Sequence, residues 1–169
     1  EQGECGWPDF ITLSKGISGG TLPLSLVLTT ETVYQSFWSE QVGRGFLHSH
    51  SYTGNALACR AALATLDIFV EDDVLKQNVA RAQKLWNALA PLADHPQIKH
   101  LRQRGMIVAF DVTTSDPAFS RRFYRAALAN EALIRPIGNT VYLMPPYIVG
   151  DDEIAHLGQA TANALNEAL

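Results

Sequence analysis

The chain has 169 residues, 47% of them hydrophobic and 18% charged, with a formal net charge of −4. That balance supports a packed core, in one ordinary domain or two small ones, and excludes a disordered chain. Charges of both signs are mixed along the sequence, which argues against nucleic acid or an anionic membrane as the main partner, and no apolar run is long enough to span a bilayer.

The chain opens "EQGECGWPDF", without an initiator Met, and runs straight into a strand, so a further N-terminal portion is expected. "DFITL" (Asp9–Leu13) reads as a buried strand emptying into the loop "SKG". Two glycines in "GGTLPLSLVLTT" turn the chain into a second strand near Leu24–Thr29. "ETVYQSFW" is expected as one helix, and "GRGFLHSHSYTGN" as a loop. From Asn55, a plausible N-cap, Leu57, Ala61, Ala64 and Ile68 recur on one helical face. A second helix carries Leu75, Val79, Ala82, Trp86 and Leu89 and ends at Pro91 and "DHP".

"GMIVAFDV" (Gly105–Val112) is a clear strand. The next helix takes Asp116 as cap and Pro117 at its first position, with Phe119, Phe123 and Ala126 inward. "ALIRP" and "TVYLMPP" are expected as two short strands around a turn at "IGN". The last helix starts near Asp151, with acidic residues in its first turn and Ile154, Leu157, Leu165 and Ala168 inward. The second half therefore reads as a small α+β unit. Cys5 and Cys59 make no disulfide framework and suit a reducing, cytoplasmic setting.

Lys15 is the first candidate for chemistry. Apolar residues precede it and "GISGG" follows, so a ligand can approach the backbone closely. Desolvation there would favour a neutral amine that attacks a carbonyl. A P-loop needs its glycines before the lysine, and "KGISGG" lacks the spacing of a dinucleotide fingerprint. His48 and His50 have no acidic or Cys partner nearby in sequence, so no metal is expected. Ser51, Tyr52 and Thr53 either cap the helix after Asn55 or form a phosphate clamp. Arg135, alone among apolar residues, is either half of a surface ion pair or a bidentate clamp for a carboxylate.

Taken together, these segments resemble the C-terminal part of a class III pyridoxal-phosphate aminotransferase of fold type I, over essentially the whole chain. "PDFITLSKGISGG" matches that family's cofactor-lysine segment, "HSHSYTGNALAC" its phosphate-contact segment, and "IRPIGNTVYLMPPYI" its C-terminal substrate segment. The resemblance implies an α/β fold. Residues 1–70 would be the end of the large cofactor-binding domain, and residues 71–169 a small C-terminal α+β domain. It implies pyridoxal 5'-phosphate as cofactor and Lys15 as the lysine that links to it and carries the proton. Ser51 and the Tyr52 amide would reach the phosphate of the partner subunit's cofactor, which makes the working enzyme a homodimer. Arg135 would hold a substrate carboxylate, with Tyr142 lining the pocket beside it.

The wording "SYTGN" and "YLMPPYI" favours the biotin-synthesis branch over enzymes acting on ornithine or 4-aminobutyrate. That branch implies S-adenosylmethionine as amino donor and 8-amino-7-oxononanoate as acceptor, yielding 7,8-diaminononanoate. Ala56 stands where the family often has proline, which is expected to alter loop stiffness and not chemistry. The family's ring-pairing aspartate, Gly-Ser phosphate loop and stacking aromatic lie upstream of residue 1, so the stretch alone is expected not to transaminate. Two other readings stay open: another class III ω-aminotransferase, or a non-catalytic fragment.

Overall fold

The computed structural model describes residues 6–169, and the chain divides into two compact units, one ending at Asp72 and the other running Asp73–Leu169. Among the described residues, no helix is long and apolar enough to cross a membrane.

The first unit begins with an antiparallel pair, β1 (Phe10–Ser14) and β2 (Ser25–Thr29), in register from Phe10 opposite Thr29 to Ser14 opposite Ser25. The expectation of a buried strand fails here. Phe10 is 56% exposed and Val27 65%. A two-stranded ladder has no second sheet or helix layer of its own to cover both faces. Helix α1 (Glu31–Gln35) is shorter than the expected span: it is capped by Thr30 and stops at Ser36, after which Tyr34 and Trp38 pack ring to ring. Helix α2 (Ala56–Glu71) begins at Asn55, whose Oδ1 accepts from the amides of Leu57 and Ala58. Its buried residues are Ala58 and Ala62, whereas Leu57 and Ile68 are exposed, so the covered stripe lies one position on from the expected one. Two alanines permit a close approach that bulkier side chains would block.

The second unit is a three-stranded antiparallel sheet, ordered β3 (Ile98–Arg104), β4 (Ile107–Val112), β5 (Thr140–Leu143), with helices α3 (Val74–Leu89), α4 (Phe119–Ala129) and α5 (Asp151–Ala168). Strand β3 is absent from the sequence reading. "IKHLRQR" has no clean alternation because a bulge between Lys99 and Arg102, with His100 at φ 52°, breaks its period. Residues 132–136 are not a strand: only Ile137 bridges back, to Thr140, across the turn at Gly138. Pro136 has no N–H to offer a ladder.

The core lies on one sheet face, where Val108, Phe110, Val112, Val141 and Leu143 meet Leu85 and Leu89 of α3, Phe119 and Phe123 of α4, and Ile154 and Leu165 of α5. Leu75 and Val79, expected inward on α3, are instead exposed, and buried Asn78 takes the place between them. Helix α4 starts two residues later than expected, at Phe119: Pro117 and Ala118 form a turn in which Asp116 Oδ1 accepts from the Ala118 amide, and Phe119, Phe123 and Ala126 are buried as expected. Helix α5 packs on α3 so closely that a Cβ on Gly158 would lie 3.0 Å from both Ala88 Cβ and Ala88 O.

On the opposite face, Asp111 ties the three strands together. It accepts from Thr140 Oγ1 of β5 at 2.8 Å and from both terminal nitrogens of Arg102 of β3, at 3.1 and 3.3 Å. The Thr140 hydroxyl, and then the Arg102 guanidinium, hold the Asp111 carboxyl below its ordinary value of 3.8. A lowered folded-state pKa gives stability that is full above the unfolded value and is lost as pH falls through the folded one. Thr140→Val should therefore cost about 1 kcal/mol at neutral pH. That difference should shrink as Asp111 is protonated, which thermal denaturation at pH 7 and pH 3 would check. A cost equal at both pH values would mean that Thr140 acts by packing alone.

Candidate functional site

Lys15 leaves the end of β1 with φ 56° and opens a one-turn 3₁₀ helix, Lys15–Ser18. A lysine in the left-handed region is strained by roughly 1–2 kcal/mol and persists only where its surroundings impose it. The turn that follows Lys15 is closed by short-range contacts. Gly19 N–H donates to Gly16 O at 3.0 Å, and Gly19 continues at φ 61°. Ser18, almost fully buried, donates from Oγ to Leu22 O at 2.5 Å, and its own carbonyl accepts from the Thr21 amide and hydroxyl. Helix α2 backs the turn: a Cβ on Gly19 would meet Thr65 Oγ1 at 3.3 Å. The Lys15 side chain is exposed, and no hydrogen bond or ion pair engages it among the described residues. Gly16 and Gly20 leave open space beside the backbone. The result is an available primary amine on a braced turn.

The hydroxyl-rich loop is more occupied than its sequence suggests. Tyr52 N–H donates to His50 Nδ1 at 3.1 Å, His50 N–H donates to Thr53 Oγ1 at 3.1 Å, and Asn55 caps the following helix. The Ser51 hydroxyl and amide are among the loop donors that keep no partner among the described residues. Ser51 thus retains donors that an anion needs, while the Tyr52, Leu57 and Ala58 amides are already taken. No hydrogen bond among the described residues joins Lys15 to Ser51 or Tyr52.

Arg135 and Tyr142 come together in the second unit. Both line an open cavity of about 940 Å³ with mostly apolar walls, among them Leu133, Met144 and Ile148. Buried Ile134 and Pro136 pin the backbone on either side of Arg135. Its guanidinium is exposed and has no ion-pair partner among the described residues. An unpaired planar cation at the rim of an apolar cavity suits a carboxylate on an aliphatic chain. Tyr124 and Glu153 also line this cavity and are missing from the sequence reading. Glu153 is legible only as a helix-capping residue, since its Oε2 accepts from the Gly150 amide at 3.0 Å.

The family pattern Aminotransferase class-III matches residues 6–165. The chain belongs to the class-III aminotransferases. It is 44% identical over 166 residues to adenosylmethionine-8-amino-7-oxononanoate aminotransferase of Helicobacter pylori, covering 95% of this chain and 38% of that protein. The crystal structure of the enzyme of that name from Methanocaldococcus jannaschii superposes with a TM-score of 0.88 at 32% identity, over 95% of this chain and 39% of that one. An amine transaminase from an uncultivated Pseudomonas species, solved in its pyridoxal-phosphate-bound form, superposes at 0.86 with 28% identity, over 96% and 39%. This class-III chain therefore spans about two fifths of the length of the relatives it matches. Its α/β fold is that of a portion of these enzymes.

The bracing of Lys15 has a measurable cost. Gly19→Ala places a Cβ at positive φ and against Thr65, and should destabilise the protein by about 1–2 kcal/mol. Thr65→Ala alone should cost less, and combining the two should recover part of the loss, because the steric share of the penalty depends on both side chains. Denaturant titration of the four variants in a cycle checks this. Strict additivity would mean that Gly19 is needed for its φ alone.

Proposed function

We propose that this chain is the lysine-bearing and carboxylate-binding part of a pyridoxal-phosphate aminotransferase. Residues 1–70 would end the large cofactor-binding domain, and residues 71–169 would form the small C-terminal domain. The observation that carries this reading is Lys15: an amine without a partner among the described residues, at a strand end, on strained backbone, beside glycines that leave room for a ligand. The donors present fit the cofactor, with an amine for its aldehyde carbon and unused Ser51 donors for its phosphate. When bound, pyridoxal phosphate supplies a conjugated ring that draws electron density from the substrate Cα.

The chain's own residues then divide the work. Lys15 would hold the cofactor through its amine, and its Nζ would take and return the proton at the substrate Cα. Arg135 pairs with the acceptor's carboxylate, and the apolar cavity walls hold its aliphatic stretch, with Tyr142 beside it. Ser51 would donate to the phosphate of the partner subunit's cofactor in a homodimer, with Tyr52 ordering the loop through His50. The likeness to the biotin-pathway enzymes supports S-adenosylmethionine as donor, 8-amino-7-oxononanoate as acceptor and a cytoplasmic setting. A second reading, an ω-aminotransferase with a simple amine as donor, draws support from the Pseudomonas neighbour. Assaying full-length enzyme with each donor separates the two.

In the full-length enzyme, Lys15→Ala should abolish turnover together with the lysine adduct trapped by borohydride. A trapped adduct that survives the substitution would place the chemistry on another lysine. Arg135→Ala should raise the KM for the keto acid by roughly 30- to 1000-fold, equivalent to about 2–4 kcal/mol, and leave the KM for the donor nearly unchanged. An equal rise for both substrates would assign Arg135 a structural role.

A further inference from the structure

We propose that Ser18 is a positioning residue for Lys15, acting through the backbone of the turn and touching neither cofactor nor substrate. This rests on the reading of Lys15 as the cofactor-linking lysine. Ser18 is the one polar residue buried in the segment up to Asp72, among the described residues. Its position is held from both sides. Oγ donates to Leu22 O at 2.5 Å, which closes the chain from Ser18 to Leu22 into a ring. The Ser18 carbonyl accepts from Thr21 Oγ1 at 2.7 Å and from Thr21 N at 3.1 Å. Three residues earlier stands Lys15 at φ 56°.

A non-glycine residue relaxes to negative φ unless its neighbours forbid it. What forbids it here is the closure of the turn, in which Ser18 supplies both a donor and a doubly used acceptor. The φ of Lys15 sets the direction in which its Cα–Cβ bond leaves the strand, and hence where Nζ can reach. A hydroxyl at residue 18 with no place in the chemistry therefore fixes the aim of the amine. Displacing a reacting group by about 1 Å costs on the order of 100-fold in rate.

The test uses full-length enzyme with added cofactor, in four forms: wild type, Ser18→Ala, Ser18→Thr, and Leu89→Ala as a remote destabilised control. Three readouts are taken: kcat with KM for each substrate, the thermal midpoint, and the site of borohydride trapping by peptide mass. Ser18→Ala should lower kcat by roughly 10- to 100-fold. Its KM values should stay within about threefold of wild type and trapping should remain on Lys15, as expected when aim and not binding is lost. Ser18→Thr, which keeps the hydroxyl, should restore most of the rate. Leu89→Ala should lower the midpoint without the fall in kcat. An unchanged kcat in Ser18→Ala, or the same fall in Leu89→Ala, overturns the positioning role while leaving Lys15 in place. Trapping on a different lysine in the wild type overturns the reading of Lys15 and this proposal with it. If Ser18→Ala does not fold, Thr21→Val removes one bond to the Ser18 carbonyl and serves instead. An intermediate fall in kcat then supports the proposal, and none overturns it.

Discussion

The left-handed backbone of Lys15 is the constraint around which the first unit is organised. Strain at one residue has to be offset by neighbours that over-determine it, and here the neighbours are short-range: a glycine in the same left-handed region, a buried serine, a threonine that bonds it twice, and a helix pressed against the turn. A unit with few buried side chains cannot rely on a hydrophobic core to hold a strained backbone. Hydrogen bonds inside a five-residue stretch do so at small entropic cost, because closing a short loop orders little chain.

The second unit works by the opposite means. Its cavity hangs on a core of fully buried aromatic and aliphatic side chains, and on a sheet whose open face is laced by Asp111, Arg102 and Thr140. Packing of that kind sets positions firmly over longer distances. It can present Arg135 on an irregular segment, away from any strand, because buried Ile134 and Pro136 anchor the chain on both sides. The two units thus offer different groups on different supports: an exposed amine beside a hydrogen-bonded turn, and a cation at the rim of an apolar cavity.

Much of this could be read from residue order. The strand before Lys15, the Asn55 cap, the Asp116–Pro117 helix start and the acidic first turn of α5 all rest on local rules, and each lies close to its expected place. What escaped depends on contacts that no window of sequence contains. Strand β3 is hidden by a bulge and by a run of basic residues, one of which is recruited by Asp111 nine positions later. Helix α2 shows the same limit: the alanines, and not the larger apolar residues, mark the covered stripe, because close approach selects for small side chains. The role of Ser18 is invisible in "KGISGG", since a serine among glycines reads as a solvated turn and its burial comes from the fold.

The contact between Gly158 and Ala88 reaches further than helix packing. Gly158 sits on the helix that holds Glu153 in its first turn and carries Leu157, and both of those line the Arg135 cavity. With only 3.0 Å between a notional β-carbon and the backbone of α3, α5 can lie no deeper and, with any larger residue, would have to stand off. A missing methyl group behind the helix therefore acts as a shim removed from a joint. The width of the mouth beside Arg135 is gauged from the rear, by a residue outside the cavity's lining.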